Sequence, residues 1–433
     1  MKKTLLLIAT LLASYVGMAQ ETYHPTAENL KAREQFQDEK FGIFLHWGLY
    51  SMMGTTEWIM TNRDINYKEY PKLAKTFYPS EFDADAWVKA IKAAGAKYIT
   101  ITTRHHDGFS LFKTATSTYN SVDGTPFKRD IIKEMADACQ RNGIKLHLYY
   151  SHLDWGREDY PVGRTGSGTG RPKEKANWAS YYKFMNTQLT ELLTNYGKVG
   201  AIWFDGWWDH DSDAKPFDWQ LEEQYALIHK LQPQCLVANN HHHTPFPGED
   251  IQIFERDLPG ENKAGLSGQS IGRLPLESCQ TINEHWGYNI TDTLYKSPKE
   301  LIQMLVRAAG KNANLLLNIG PEPGGALPEL ALDRLQSLGK WLNQYGETIY
   351  RTRGGIVTPH EWGVSTQRGN KLYIHILNCM DSSLFIPTGN HKIKSATVFG
   401  TNKRVNFTKT GNGITLNLDT VPTEIDYIVE LSL

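Results

Sequence analysis

Cysteine is scarce in this sequence. Its 433 residues include only 4 cysteines (Cys139, Cys235, Cys279 and Cys379), widely spaced and without a C-x-x-C pair. Disulfide scaffolds are denser and zinc ribbons need closer ligands, so both are excluded and buried free thiols are expected. Neither sign of charge is in excess: 46 Lys and Arg stand against 47 Asp and Glu, for a net charge of −1, and no long run of like charge occurs. A nucleic-acid or anionic-membrane partner therefore has no electrostatic support. Past the first residues no apolar run is long enough to span a bilayer, so no membrane anchor is expected. The sequence carries no signal for oligomeric state.

The one sustained apolar run is N-terminal. Met1-Lys2-Lys3 is followed by Leu5–Leu12 and then the small-residue stretch Gly17-Met18-Ala19. This is the order of a secretory signal peptide, predicted over residues 1–19 with cleavage near Ala19–Gln20. The mature protein is expected to be exported, to the periplasm or beyond. No cysteine follows the apolar core, which argues against a lipid anchor.

Beyond the leader, short β-prone runs alternate with segments of helical period. Strands are predicted at Phe41–Trp47, Tyr98–Thr103, Lys145–Ser151, Ala201–Asp205, Leu236–Asn239, Ile251–Glu255, Leu276–Ile282 and Asn314–Ile319. "DADAWVKAIKAAG" reads as a helix capped by Asp83 and stopped at Gly95, and "RDIIKEMADACQRNG" stops likewise at Gly143. "SPKELIQMLVRAAG" opens with Ser297 as cap and Pro298 at the first helical position. The fold class is α/β: a (β/α)8 TIM-like barrel over residues 20–350, with an open α/β sheet as the alternative. Helical signal is weak between Leu236 and Ile282, which predicts an irregular second half. From residue 351 to 433, alternating runs such as "KLYIHIL", "IKSATVFG" and "GITLNLD" predict a small C-terminal β-sandwich. "GRTGSGTGRPK" reads as an exposed mobile loop.

Polar chemistry gathers where the predicted strands end: "FGIFLHWG", "TTRHHDGF", "LHLYYSHLDW", "AIWFDGWW" and "IQIFERDLPG". The C-terminal ends of barrel strands are where such folds place their sites. Alternation puts Trp203 and Asp205 on one face, Ile253 and Glu255 on one face, and His147, Tyr149 and Ser151 inward. A carboxylate on the fourth strand and another on the sixth thus share a pocket, the requirement of glycoside hydrolysis. His46, His105 and His106 suit sugar hydroxyls as neutral imidazoles or, alternatively, zinc. The neighbours His105 and His106 diverge on a strand, which makes joint ligation awkward, and "NHHHT" (His241–His243) reads as a solvated loop.

Seven stretches, "KFGIFLHWGLYS", "RHHDGF", "YYSHLDW", "WFDG", "FERDLPG", "TINEHWGYN" and "NLLLNIGPEPGG", resemble in this order the α-L-fucosidases of glycoside hydrolase family 29. The resemblance implies a retaining exo-α-L-fucosidase acting on a fucosylated glycan without metal or organic cofactor. It implies Asp205 as nucleophile and Glu255 as acid/base, with Glu277, the other frequent family glutamate, structural. It places His46, His105, His106, Tyr149, Glu57 and Trp58 around the sugar, and Phe44 and Trp286 against its methyl group. Trp203, on the face of Asp205, walls the same pocket. Many family members have Asn-Asp-Arg-Trp where this chain has Asn239-Asn240-His241-His242, so His241 or His242 stands in for the usual arginine. "GEDIQIFERDLPGEN" resembles the subfamily releasing α1,3/1,4-linked fucose. A non-catalytic fucose-binding protein on the same fold and a zinc-dependent hydrolase are the competing readings.

Overall fold

A computed structural model describes residues 23–401 and 403–433, so the expected signal peptide lies outside the described residues. Eight parallel strands form one sheet: β1 (Phe41–Leu45), β2 (Tyr98–Arg104), β3 (Lys145–Ser151), β4 (Ala201–Asp205), β5 (Leu236–Asn240), β6 (Gln252–Glu255), β7 (Leu276–Thr281) and β8 (Ala313–Ile319). Their order is β5-β4-β3-β2-β1-β8-β7-β6. The sheet closes on itself, because Ala238 of β5 bridges Ile251 in parallel and the Asp250 amide donates to the Val237 carbonyl at 2.7 Å. This rules out the open sheet in favour of a TIM-like barrel.

The closing seam is thin, and side chains complete it. Asp250 accepts the Val237 amide at 2.8 Å through Oδ2, a bond that a longer ladder would have made with backbone. Arg33, on the helix Ala27–Glu39, donates to the Asp250 carboxylate from Nε at 2.9 Å and from Nη2 at 2.5 Å. The seam falls where the sequence lacks helical period: no helix separates β5 from β6 or β6 from β7.

Where helices do intervene, local chemistry fixes their ends. Asp83 accepts from the Ala86 amide ahead of Ala84–Ala93, and Asp130 accepts from Lys133 ahead of Ile131–Asn142. Gly95 and Gly143 follow in left-handed conformation (φ 93° and 68°), where a Cβ is unfavourable. Ser297 and Glu300 form a reciprocal capping box before Pro298–Gly310.

Strand alternation separates two cores. Ile202, Phe204, Leu146, Leu148 and Tyr150 pack outward against the helices, while Phe44, Tyr98, Tyr149, Trp203, Ala238 and Ile253 pack inside the barrel. Downstream, a five-stranded antiparallel sheet and a three-stranded one enclose a separate core that includes Ile374, Ile386, Leu416 and Val429. The predicted runs supply Lys371–Ile376, Ser395–Val398 and Gly413–Asn417 to this sandwich. Among the described residues no helix is long and apolar enough to cross a membrane.

Candidate active site

The C-terminal strand ends converge on a cavity of about 530 Å³. Strand register explains the gathering: Ser151 of β3, Asp205 of β4 and Asn240 of β5 lie side by side. Glu255 closes β6 beside Cys279 of β7, and Phe44 of β1 sits beside Asn318 of β8.

Asp205 is held by four donors. Tyr149 Oη donates to Oδ2 at 3.0 Å, while Oδ1 accepts the Gly206 amide at 2.8 Å, the Trp208 indole N–H at 3.0 Å and Asn240 Nδ2 at 3.4 Å. Gly206 has φ 96°, a backbone that favours glycine and lets the chain turn sharply under the carboxylate. Glu255 accepts from Asn240 Nδ2 at 2.7 Å and lies 3.0 Å from His242 Nε2, both at Oε2. Asn240 therefore links the two carboxylates.

The two acids are tuned in opposite directions. Burial, and then the negative charge of Glu255, push Asp205 up to about 6, against the hydrogen bonds of Trp208 and Tyr149 and the influence of His242. Burial also works to raise Glu255, but the hydrogen bond and charge of His242, aided by Asn240 and Arg256, hold it below its ordinary value.

Imidazoles and indoles wall the remainder. Burial lowers His46 to about 4 and takes His105 and His106 well below the ordinary histidine value, so all three are neutral. Asn318 donates through Nδ2 to the Trp286 carbonyl, so its Oδ1 is the acceptor for His46 Nδ1–H at 2.6 Å. His46 Nε2 is thereby left as an acceptor toward the cavity. The same reasoning applies to His106: Ser151 Oγ donates to the Leu153 carbonyl and accepts from His106 Nδ1 at 2.7 Å, leaving Nε2 3.5 Å from Asp205 Oδ2. Glu57 Oε2 accepts the Gly287 amide at 2.9 Å and so anchors the loop that carries Trp286. Trp58 stacks on Trp208 with ring centroids 5.4 Å apart.

Most of the residues expected from sequence meet here: Phe44, His46, Glu57, Trp58, His105, Trp203, Asp205, Glu255 and Trp286 line the cavity. His106 and Tyr149 reach it through Asp205. Tyr150, the next residue on β3, points outward and donates to Gln188 at 2.7 Å. His241 is the exception. It is buried against Glu249, with Nε2 3.0 Å from both carboxylate oxygens, and does not line the cavity. The same alternation that turns Ala238 and Asn240 inward puts His241 on the outer face and returns His242 to the cavity. Glu277 also lies off the cavity, accepting from Tyr98 Oη at 2.7 Å and Trp203 Nε1 at 2.9 Å.

Some participants escaped the sequence reading. Asn240 was missed because β5 was ended one residue early; carrying the alternation from Ala238 would have found it. Arg164, Asp211 and the stretch from Asn262 to Gln269 form the outer wall and have no strand-end signal. Arg164 belongs to the glycine-rich stretch expected to be a mobile exposed loop. That stretch is instead tied down: Thr165 donates to Asp209 from N and Oγ1, both at 2.7 Å, and the Gly166 amide donates to Thr61 at 2.9 Å. Trp207 packs on His243 and Phe246, away from the carboxylate that Trp208 contacts.

Comparison with known proteins shows the family. The family described as alpha-L-fucosidase matches residues 10–347. Rattus norvegicus plasma alpha-L-fucosidase is 31% identical over 406 residues, covering 85% of this chain and 82% of that protein. Among solved structures, alpha-L-fucosidase isoenzyme 1 from Paenibacillus thiaminolyticus superimposes with a TM-score of 0.82 at 34% identity, covering 94% of this chain and 99% of that one. A Bacteroides thetaiotaomicron alpha-L-fucosidase, trapped as a covalent intermediate with 2-fluoro-fucosyl fluoride, gives a TM-score of 0.81 at 27% identity, covering 95% and 97%. This chain belongs to the α-L-fucosidase family of glycoside hydrolases.

Proposed function

We propose that the protein is an exo-acting, retaining α-L-fucosidase in which Asp205 is the nucleophile and Glu255 the acid/base. The observation that carries this reading is the shared amide of Asn240, 3.4 Å from Asp205 Oδ1 and 2.7 Å from Glu255 Oε2. These oxygens can be no further apart than the two contacts laid end to end, which is shorter than the roughly 6.5–9.5 Å between the carboxyl groups of inverting enzymes. Such closeness suits direct attack by one carboxylate. In the first step Asp205 attacks C1 while Glu255 gives its proton to the departing oxygen. In the second, Glu255 takes a proton from water as the water oxygen displaces Asp205 from C1. Two inversions give net retention.

The active form of the pair carries one proton. The resting preferences favour that proton on Asp205, so a glycosidic oxygen bound beside Glu255 must draw it across. Phe44 and Trp203, buried at the inner end, close the cavity to a continuing chain, which favours a terminal sugar.

The preferred substrate in this reading is α1,3/1,4-linked fucose on a branched glycan. Support comes from "GEDIQIFERDLPGEN", whose last residue, Asn262, lines the cavity together with Gly265, Leu266, Gly268 and Gln269 just beyond it. The leaving sugars would lie there. Lewis-type trisaccharides should be cut faster than an α1,2-fucosyl disaccharide, measured as released fucose; the opposite preference would overturn the linkage assignment. The leader-like N-terminus supports export to the periplasm or medium, testable by fractionation and N-terminal sequencing of the mature chain.

A further inference from the structure

His242 stands where sequence comparison predicted a sugar contact, yet its ring engages Glu255. Its Nε2 lies 3.0 Å from Glu255 Oε2, the same oxygen that accepts Asn240 Nδ2 at 2.7 Å. The contact depends on a left-handed backbone, φ 65°, at a position occupied by neither glycine nor asparagine. The side chain is 20% exposed, with one edge of the ring on the carboxylate.

With both donors on Oε2, that oxygen is committed as an acceptor. The acid proton then belongs on Oε1. We propose that His242 is the positioning residue of the acid/base: its Nε2–H fixes Oε2 and presents Oε1–H to the departing oxygen. The proposal rests on Glu255 being the acid/base. The proton balance is that of the two-step reaction, since His242 keeps its Nε2–H throughout.

Other charged or titratable groups around the contact act on the same carboxylate. Asp205 faces Glu255 from β4, and Arg256 follows it in the chain. His46 from β1, Tyr149 from β3 and Cys279 from β7 all sense the charge of Glu255. On its own loop, His242 neighbours His243, which also feels Asp211, and the His241–Glu249 pair. His46 is neutral, and burial raises Tyr149 and Cys279 far above neutrality, so none of these three carries a charge beside Glu255 near neutral pH.

The test uses the full-length enzyme and the variants His242→Ala, His242→Gln and His242→Arg, each assayed on a Lewis-type trisaccharide and on an activated aryl fucoside. Loss of the donor should lower kcat/KM on the trisaccharide, whose leaving group needs the acid, at least about tenfold more than on the aryl fucoside. The alkaline limb of the trisaccharide pH profile should move up in His242→Ala, because a group favouring the carboxylate is gone. It should move down in His242→Arg, which is permanently charged, and His242→Gln, a donor without charge, should recover part of the rate. A sugar contact would behave differently: KM would rise equally on both substrates, with the limbs unmoved, and the proposal would be overturned. Parallel assay of Glu255→Ala separates the two levels. If that variant is selectively impaired on the trisaccharide while the His242 limbs stay still, the positioning role alone fails. If Glu255→Ala shows no such selectivity, the acid/base assignment fails and takes this proposal with it.

Discussion

Trp203 donates its indole N–H to Glu277 Oε1 at 2.9 Å, inside the barrel just below the cavity. Tyr98 holds the other oxygen at 2.7 Å, so a single carboxylate ties β7 to β4 and β2 and fixes the indole that walls the sugar site. Burial pushes Glu277 up to about 7, with both hydrogen bonds pulling the other way. The folded protein thus binds this proton more tightly than the unfolded chain does. Its contribution to stability is full below about 4.3, the unfolded value, and is lost as pH rises toward about 7. Glu277→Gln cannot accept from both donors, so at pH ~5 it should be less stable by about 1–3 kcal/mol. The gap in Tm between wild type and Glu277→Gln should narrow toward pH ~8. A gap that stays constant with pH would show that Glu277 is not the titrating group.

The opposed tuning of Asp205 and Glu255 predicts two pH profiles from one site. An activated aryl fucoside needs only the ionised nucleophile, so its kcat/KM should rise as pH passes about 6 and then level off. A natural glycan needs the singly protonated pair, so its kcat/KM should fall above about 6. Glu255→Gln removes the charge that helps raise Asp205, and the aryl-fucoside limb should then move to lower pH. A limb that moves up, or an identical profile for both substrates, would contradict the coupling.

Alternation carried most of this site into view from the sequence. A period of two residues along short strands was enough to turn Tyr149 inward and Tyr150 outward, and to set Asp205 and Glu255 on one cavity. It stopped short at Asn240, where the strand runs one residue further than its apolar pattern; carried on from Ala238, it brings Asn240 and His242 to the cavity and turns His241 away. The barrel itself was legible, but not how its seam is completed, because Asp250 is held there by Arg33, 217 residues earlier in the chain. The outer wall depends on Asp209 reaching back to Thr165, a long-range hydrogen bond with no local signature. Loops that are polar in composition can still be ordered when buried carboxylates bind their amides, and composition does not say where those carboxylates are.

The assignment of roles to Asp205, Glu255 and Glu277 can be separated by chemical rescue. Every substrate needs the nucleophile, whereas only a poor leaving group needs the acid. Asp205→Ala should therefore lose turnover on aryl fucosides and glycans alike, on the order of 10³-fold or more. Glu255→Ala should still form the fucosyl-enzyme from an activated aryl fucoside and then stall for want of a base. Azide needs no base. It should restore turnover of Glu255→Ala and yield α-fucosyl azide, because it attacks an intermediate that has already been inverted once. With Asp205→Ala, azide enters in place of the missing carboxylate and inverts the substrate once, so the product should be the β-azide. Glu277 touches neither the cavity nor its carboxylates, and its variant should respond to azide in neither sense. Product stereochemistry read by proton NMR decides the matter: α-azide from Glu277→Ala, with Glu255→Ala unmoved by azide, would exchange the two glutamates, whereas α-azide from Asp205→Ala would remove it from the nucleophile's place.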